Sequence, residues 1–132
     1  ARKYGGRWNS PRRPVVYLGG SRARAALEML VHLTTPLARL KTYKNIKVTI
    51  PKECVAHYPI SALPKNWRES PAPRSIQEIG DDWLSVNGQL ALELPSVLIP
   101  EESNFLLNPL HPDFNKVMSE APMDFGFDPR LY

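Results

Sequence analysis

Fourteen prolines in 132 residues set the limits on what this chain can build. Each proline fixes its own φ and removes a backbone donor, so it breaks helix interiors and central strands. The chain therefore reads as frequent loops between short elements, not as long uninterrupted helices. Its length fits one domain with one real core. Hydrophobic residues at 42% and charged residues at 23% are ordinary for a soluble globular protein. No apolar run approaches the roughly 18–20 residues that span a membrane, and nothing reads as a signal peptide. The single cysteine, Cys54, excludes an internal disulfide and any multi-cysteine metal site, which suits a reducing cytoplasm.

Between the prolines, Pro14 to Tyr17 reads as a short buried strand. Ser21 is a good N-cap for a helix over "RARAALEMLVHL". Its Ala23, Ala26, Leu27, Leu30 and Val31 fall on one face, and Pro36 lies just past its end. "NIKVTIP" alternates Ile46, Val48 and Ile50 about polar residues, the pattern of a half-buried strand. Residues 57–73 hold four prolines and Trp67 and read as loop. A helix is predicted from about Ser75 to Val86, closed by Asn87-Gly88. "QLALELPSVLIP" alternates Leu90, Leu92 and Leu94 before a kink at Pro95. "NFLLNP" suggests another strand, "HPDFNKVM" a helix of two turns and "DFGFDPRLY" a final strand. Helices and strands mix without a regular βαβ alternation, so the fold class is α+β.

The net charge of +4 is unevenly spread. Residues 1–27 carry seven Lys/Arg and no acid, whereas Ser75 to Asp128 carry ten acids against one Lys. A protein binding DNA over a broad face would not carry so acidic a second half. The basic end reads instead as a local anion site or a contact surface for an acidic partner.

That end contains "YGGRWNSPRRPVVY". A glycine pair lets backbone approach a ligand closely, and the Arg7 guanidinium can grip phosphate oxygens with parallel hydrogen bonds. No Walker loop or dinucleotide fingerprint accompanies it. Residue by residue, Arg7 is either a ligand-gripping arginine or a surface arginine beside a hairpin turn, and Arg12 and Arg13 read as solvated turn residues. Glu28 lies opposite the apolar stripe of its helix, with Arg24 and His32 four residues before and after it. This is either a surface ion-pair row, worth a few tenths of a kcal/mol, or a carboxylate facing a cleft beside Tyr17. Ser96 ends an apolar strand, without the elbow or triad order of a nucleophile. His32, His57 and His111 lack metal-ligand spacing, so no metal is assigned. Trp8, Trp67 and Trp83 read as core anchors, and Cys54 as a small core or surface residue, not a nucleophile.

Taken together, these stretches resemble the RES domain family, the toxin halves of bacterial Xre–RES toxin–antitoxin pairs. The matching segments are "RKYGGRWNSPRRPVVY", "ALEMLVHL", "LPKNWRESPAP", "IGDDWL", "ELPSVLIPEESNFLLNPLHPDF" and "FDPRL", in the family's order over nearly the whole chain. The arginine, glutamate and serine for which the family is named match Arg7, Glu28 and Ser96. Two departures stand out. Family members usually carry a leading segment before "GGRWNS", whereas this chain begins at Ala1, so that segment is expected to be absent. "SPRRP" also replaces a turn in which the family more often has glycine after the proline.

The resemblance implies one RES domain over residues 1–132, with an ADP-ribosyltransferase-like split β-sheet core and flanking short helices around an NAD cleft. It implies an enzyme that consumes NAD as substrate, without a metal, by hydrolysis or phosphorolysis of the nicotinamide–ribose bond or by ADP-ribosylating a protein. Glu28 and Arg7 would be catalytic, with Arg7, Tyr17 and Ser96 binding NAD. Nicotinamide leaves as a neutral molecule, so the barrier lies in positive charge building on the ribose, by analogy with glycoside cleavage. A carboxylate near that charge would lower it. The implied setting is the bacterial cytoplasm, with a cognate Xre-type helix-turn-helix antitoxin as partner and DNA reached only through that antitoxin. The charge asymmetry allows self-association, so a homo-oligomer or a hetero-oligomer with the antitoxin is an expected assembly. The competing reading from another class is a non-catalytic binding module that uses the basic amino end.

Overall fold

A computed structural model describes residues 5–131 of the protein; residues 1–4 and Tyr132, including the start of the first matched segment, lie outside the described residues. The chain is a mixed α+β structure. A four-stranded sheet has the order β1–β6–β5–β4, built from β1 (Val16–Gly19), β4 (Val55–His57), β5 (Ala91–Pro95) and β6 (Ser103–Leu107). β1, β6 and β5 pair antiparallel, and β4 runs parallel to β5. Two small ribbons stand apart: β2 (Tyr43–Asn45) with β8 (Met123–Phe125), and β3 (Val48–Thr49) with β7 (Met118–Ser119). Among the described residues there are three α-helices: α1 (Arg22–His32), α2 (Pro36–Leu40) and α3 (Arg74–Ser85). No helix among the described residues is long and apolar enough to cross a membrane.

Strand alternation puts different residues on the two faces of the sheet. Leu92, Leu94 and Leu106 point one way and pack with Trp8, Val15 and Trp67 and with Ile76 and Trp83 of α3. Each such fully buried side chain contributes about 2 kcal/mol by leaving water. The other face carries Ala91 and Leu107 in a smaller cluster with Leu90 and Cys54. All three tryptophans are therefore core residues, as expected, and of the two places open to Cys54 the structure gives the core.

Several predicted elements shift for identifiable reasons. β1 begins at Val16 and is not buried, because it is an edge strand with β6 as its neighbour and leaves Val16 and Tyr17 exposed. "NIKVTIP" is not one strand: the pairing partner changes from β8 to β7 across Ile46 and Lys47, and Ile46 is exposed. β4 had no predicted counterpart, since its three residues merge into a proline-rich stretch. The predicted helix at "HPDFNKVM" is a 3₁₀ turn over Pro112–Lys116, capped by the His111 ring, whose Nδ1 accepts from Asp113 N at 2.9 Å. The last predicted strand shortens to β8. Asp128 then turns the chain by accepting from Arg130 N at 2.9 Å, and a 3₁₀ turn occupies Pro129–Leu131. The helix predicted over 75–86 is α3, one residue earlier at each end. Asn87 supplies the left-handed φ of 48° that follows it.

α1 departs most. Its N-cap is Ser21, whose Oγ accepts from Arg24 N at 3.1 Å. Yet the stripe of Ala23, Ala26, Leu27, Leu30 and Val31 is not a buried face, and Val31 is 53% exposed. The one buried residue of the helix is Arg24. The helix start lies so close to the end of β1 that a Cβ on Gly19 would come within 2.6 Å of Ala25 N.

Candidate active site

The Arg7 segment is a tight turn built for close contact. Gly5 has a φ of 77°, and Gly6 N donates to Asn9 O at 3.0 Å. A Cβ on Gly6 would stand 2.5 Å from the Tyr17 hydroxyl. That hydroxyl donates to Asn9 Oδ1 and accepts from Trp8 N at 3.3 Å, so β1 supports the turn from below. α3 grips it from the side. Gln77 Nε2 donates to Gly6 O at 3.0 Å, and Asp81 Oδ1 accepts from Ser10 N at 3.0 Å. Arg13 Nη2 donates to Asp81 O at 2.8 Å and to Ser85 Oγ at 2.6 Å. Arg13 is therefore a tie between turn and helix, not a solvated turn residue; Arg12 is exposed, with a φ of 70°.

On this support the Arg7 guanidinium reaches the proline-rich loop, where Nη1 donates to Glu69 O at 2.8 Å and Trp67 O at 3.3 Å. Its Nε and Nη2 make no hydrogen bond among the described residues. Partial burial pulls the Arg7 pKa down from its ordinary value, and the charges of Glu28 and Tyr17 oppose that shift. Arg7, Tyr17 and Glu28 thus share one electrostatic neighbourhood. Tyr17 as a whole residue is 38% exposed. Its hydroxyl is enclosed under the turn, and this burial pushes its pKa up to about 12.

Glu28 sits in a polar cluster between α1 and the far ends of β5 and β6. Three donors converge on its Oε1: Arg24 Nη2 at 2.6 Å, Asn104 Nδ2 at 2.8 Å and Ser96 Oγ at 3.1 Å. Oε2 has no hydrogen bond among the described residues, and the side chain is 33% exposed. Ser96 is fully buried, and its Oγ also accepts from Leu98 N and Ile99 N, each at 3.1 Å, and from Arg24. The row of Arg24, Glu28 and His32 is thus no uniform surface array: Arg24 is buried, Glu28 half-buried and His32 exposed.

A cavity of about 690 Å³ is bordered by residues of β1, α1 and β6. Tyr17 lines it, together with Leu18 and Phe105, the Gly19–Gly20 turn and Met29 of α1. Arg7, Glu28 and Ser96 do not. The structure therefore brings Arg7, Tyr17, Glu28 and Ser96 into one region, with Tyr17 the member of the four that borders the cavity.

Two residues of the cluster, Arg24 and Asn104, were not among the expected site residues. Asn104 had a signal: it is a polar residue running directly into the apolar "FLL" of its strand, paired with Leu94 and Gly19. Arg24 had one as well, since it stands one turn before Glu28, but a buried and a solvated arginine look alike in sequence.

Fold and site together define a small α+β protein that holds a carboxylate in a fixed, one-sided hydrogen-bond array. The RES domain family matches residues 1–128. The chain is 39% identical over 132 residues to Toxin Res of Yersinia enterocolitica serotype O:8 / biotype 1B, covering 99% of this chain and 86% of that protein. It is 36% identical over 132 residues to Toxin Res of Photorhabdus laumondii subsp. laumondii, covering 99% and 84%. With the Prs ADP-ribosylating toxin of Sphingobium sp. (strain YBL2) it shares 35% identity over 130 residues, covering 96% and 80%. The chain belongs to the RES domain family of toxins.

Proposed function

We propose that this protein is a toxin enzyme that cleaves the nicotinamide–ribose bond of NAD, with residues 1–132 acting as one RES domain. The observation that carries this reading is the Glu28 carboxylate, bound through Oε1 by three donors and open at Oε2. A ribose hydroxyl needs such an acceptor, and the positive charge that builds on the ribose needs a nearby anion whose orientation is already set. The donor set fits the rest of the molecule. The Arg7 Nε and Nη2, which make no hydrogen bond among the described residues, suit a diphosphate, and the partly exposed Tyr17 offers a ring for stacking. Ser96, buried and committed to Glu28, orders the carboxylate and through it the ribose.

Because nicotinamide departs neutral from a cationic ring, no residue needs to act as general acid. Glu28 stabilises the developing charge, Arg7 holds the diphosphate, and Tyr17 borders the leaving group. The core on this reading is the split sheet of an ADP-ribosyltransferase-like fold, with the four-stranded sheet and the ribbons as its parts. The setting is the cytoplasm, with an Xre-type antitoxin as neutralising partner. A second reading, transfer of ADP-ribose to a protein, is favoured by the relative named an ADP-ribosylating toxin. Both readings share the first bond cleavage and differ in the acceptor.

The test is nicotinamide release from NAD by the purified protein, with and without inorganic phosphate. Release that depends on phosphate identifies phosphorolysis, and release without it identifies hydrolysis. Glu28→Ala is expected to lower release by about 100-fold or more while the protein stays folded. Undiminished release in that variant removes Glu28 from the reaction. NAD left intact by the unaltered protein, with and without candidate acceptor proteins, would overturn the enzymatic reading.

A further inference from the structure

Arg24 is 3% exposed, on a helix whose other residues are all wetter. Taking a guanidinium out of water costs several kcal/mol unless its partners are well placed. An apolar side chain at position 24 would close α1 on the sheet without that cost. What it could not do is hold Glu28. Arg24 Nη2 lies within hydrogen-bond distance of Glu28 Oε1, Ser96 Oγ and, at 3.4 Å, Asn104 Oδ1. Asn104 closes the ring: its Oδ1 faces Arg24 while its Nδ2 donates to the same Glu28 Oε1. That arrangement fixes which way the amide points. On the far side of the guanidinium, Glu102 Oε1 stands 3.8 Å from Arg24 Nε, so one buried cation sits between two carboxylates.

We propose that Arg24 and Asn104 are positioning residues that lock the Glu28 carboxylate in the rotamer that commits Oε1 and leaves Oε2 as the acceptor for substrate. This rests on the reading of Glu28 as the reacting carboxylate. The two residues reach Glu28 from different elements, one from its own helix and one from β6. A carboxylate held at one oxygen from two directions cannot rotate about its last torsion without losing a charge-assisted bond. All three acceptors lie on Nη2, while Nε and Nη1 are buried without a hydrogen bond among the described residues; a lysine at position 24 would keep the charge but not the planar shape that places Nη2 there.

The experiment compares Arg24→Lys and Asn104→Ala, each alone and combined with Glu28→Gln. Release of nicotinamide is followed in steady state and, for the weak variants, in single turnover with enzyme in excess. Thermal unfolding is recorded beside each. Asn104 is half-buried and its substitution is the milder one, so it keeps the test open if Arg24→Lys does not fold. The expected result is a kcat lowered about tenfold or more in each folded single variant, with KM within about threefold. In the Glu28→Gln background the same substitutions should change single-turnover release by less than about twofold, because the carboxylate they hold is gone. Equal losses in both backgrounds would overturn the inference, since the residues would then act through the fold. So would unaltered kcat in the folded single variants. If Glu28→Gln turns over like the unaltered protein, it is the assignment of Glu28 that fails, a distinct outcome.

Discussion

The turn that carries Arg7 and the helix that carries Glu28 face the same region, yet they are held by different physics. The turn is positioned by shape. Gly80 of α3 leaves so little room that a Cβ there would stand 1.7 Å from Trp8 O, and the ties from Gln77, Asp81 and Tyr17 run to backbone atoms of the turn or to Asn9. The helix is positioned by charge. α1 presents Arg24 and Glu28 to the end of the sheet and leaves Val31 in water. The difference teaches where each half is vulnerable. Arg7 is lost when packing around the turn is disturbed, whereas Glu28 is lost when one partner in a polar ring is removed.

At the turn, the largest effect on stability should come from Gly80→Ala. Alanine at a helix interior is favoured over glycine by about 1 kcal/mol. Here the new methyl meets backbone of the turn, which cannot swing away as a side-chain tip would. Overpacking of this kind costs about 3 kcal/mol, so the clash should win and the substitution should destabilise. Urea unfolding measures the sign directly, and NAD turnover should fall as the turn is displaced. A Gly80→Ala protein more stable than the original would show that the turn yields, and the contrast with α1 would disappear.

Tyr17→Phe should act at the same turn with a smaller effect. Removing the hydroxyl strips Trp8 N and the buried Asn9 of a partner and should cost about 1–2 kcal/mol. It also has a signature in pH. The phenol titrates near 10 when exposed and near 12 in the folded protein. The protonated form is therefore the one the fold favours: its stabilisation is full below pH 10 and is lost as pH rises through 12. Denaturation across pH 9–12 should show a decline that Tyr17→Phe reduces. Parallel declines in both proteins would mean that the enclosed hydroxyl does not govern the turn.

How much of this was legible in the sequence follows the same division. Elements defined by apolar periodicity, such as β5, β6 and α3, stand near where alternating leucines and the Asn87-Gly88 stop place them. The turn at Gly5–Gly6 was legible as a place of close approach, because glycine announces a backbone need. Its grip by α3 was not, since Gly80 and Asp81 lie about 70 residues away from Trp8 and Ser10 in the chain. Glu28 could be read in two ways, and nothing in its local pattern separated a surface ion pair from an inward carboxylate. The deciding partners, Ser96 and Asn104, come from β-strand ends that meet α1 only when the sheet forms. The α1 stripe misled for the opposite reason. Periodicity identifies an apolar face but does not say what that face will meet.

That stripe supplies the smallest predicted effect. In the folded chain Val31 is 53% exposed, so Val31→Ser should change stability by less than about 0.5 kcal/mol. The counterpart on the α3 side is Leu106→Ala, which opens a cavity in a closed cluster and should cost about 3 kcal/mol. The ratio of the two separates a face that folds the protein from one that does not. Leu37 and Leu40 of α2, the next helix in the chain, are exposed as well. If Val31→Ser lowers the melting temperature by an amount that depends on protein concentration, the stripe is covered by a second copy of the chain, since only association makes stability depend on concentration. An effect that is small and independent of concentration leaves α1 held, as the geometry indicates, by Arg24 and its acceptors.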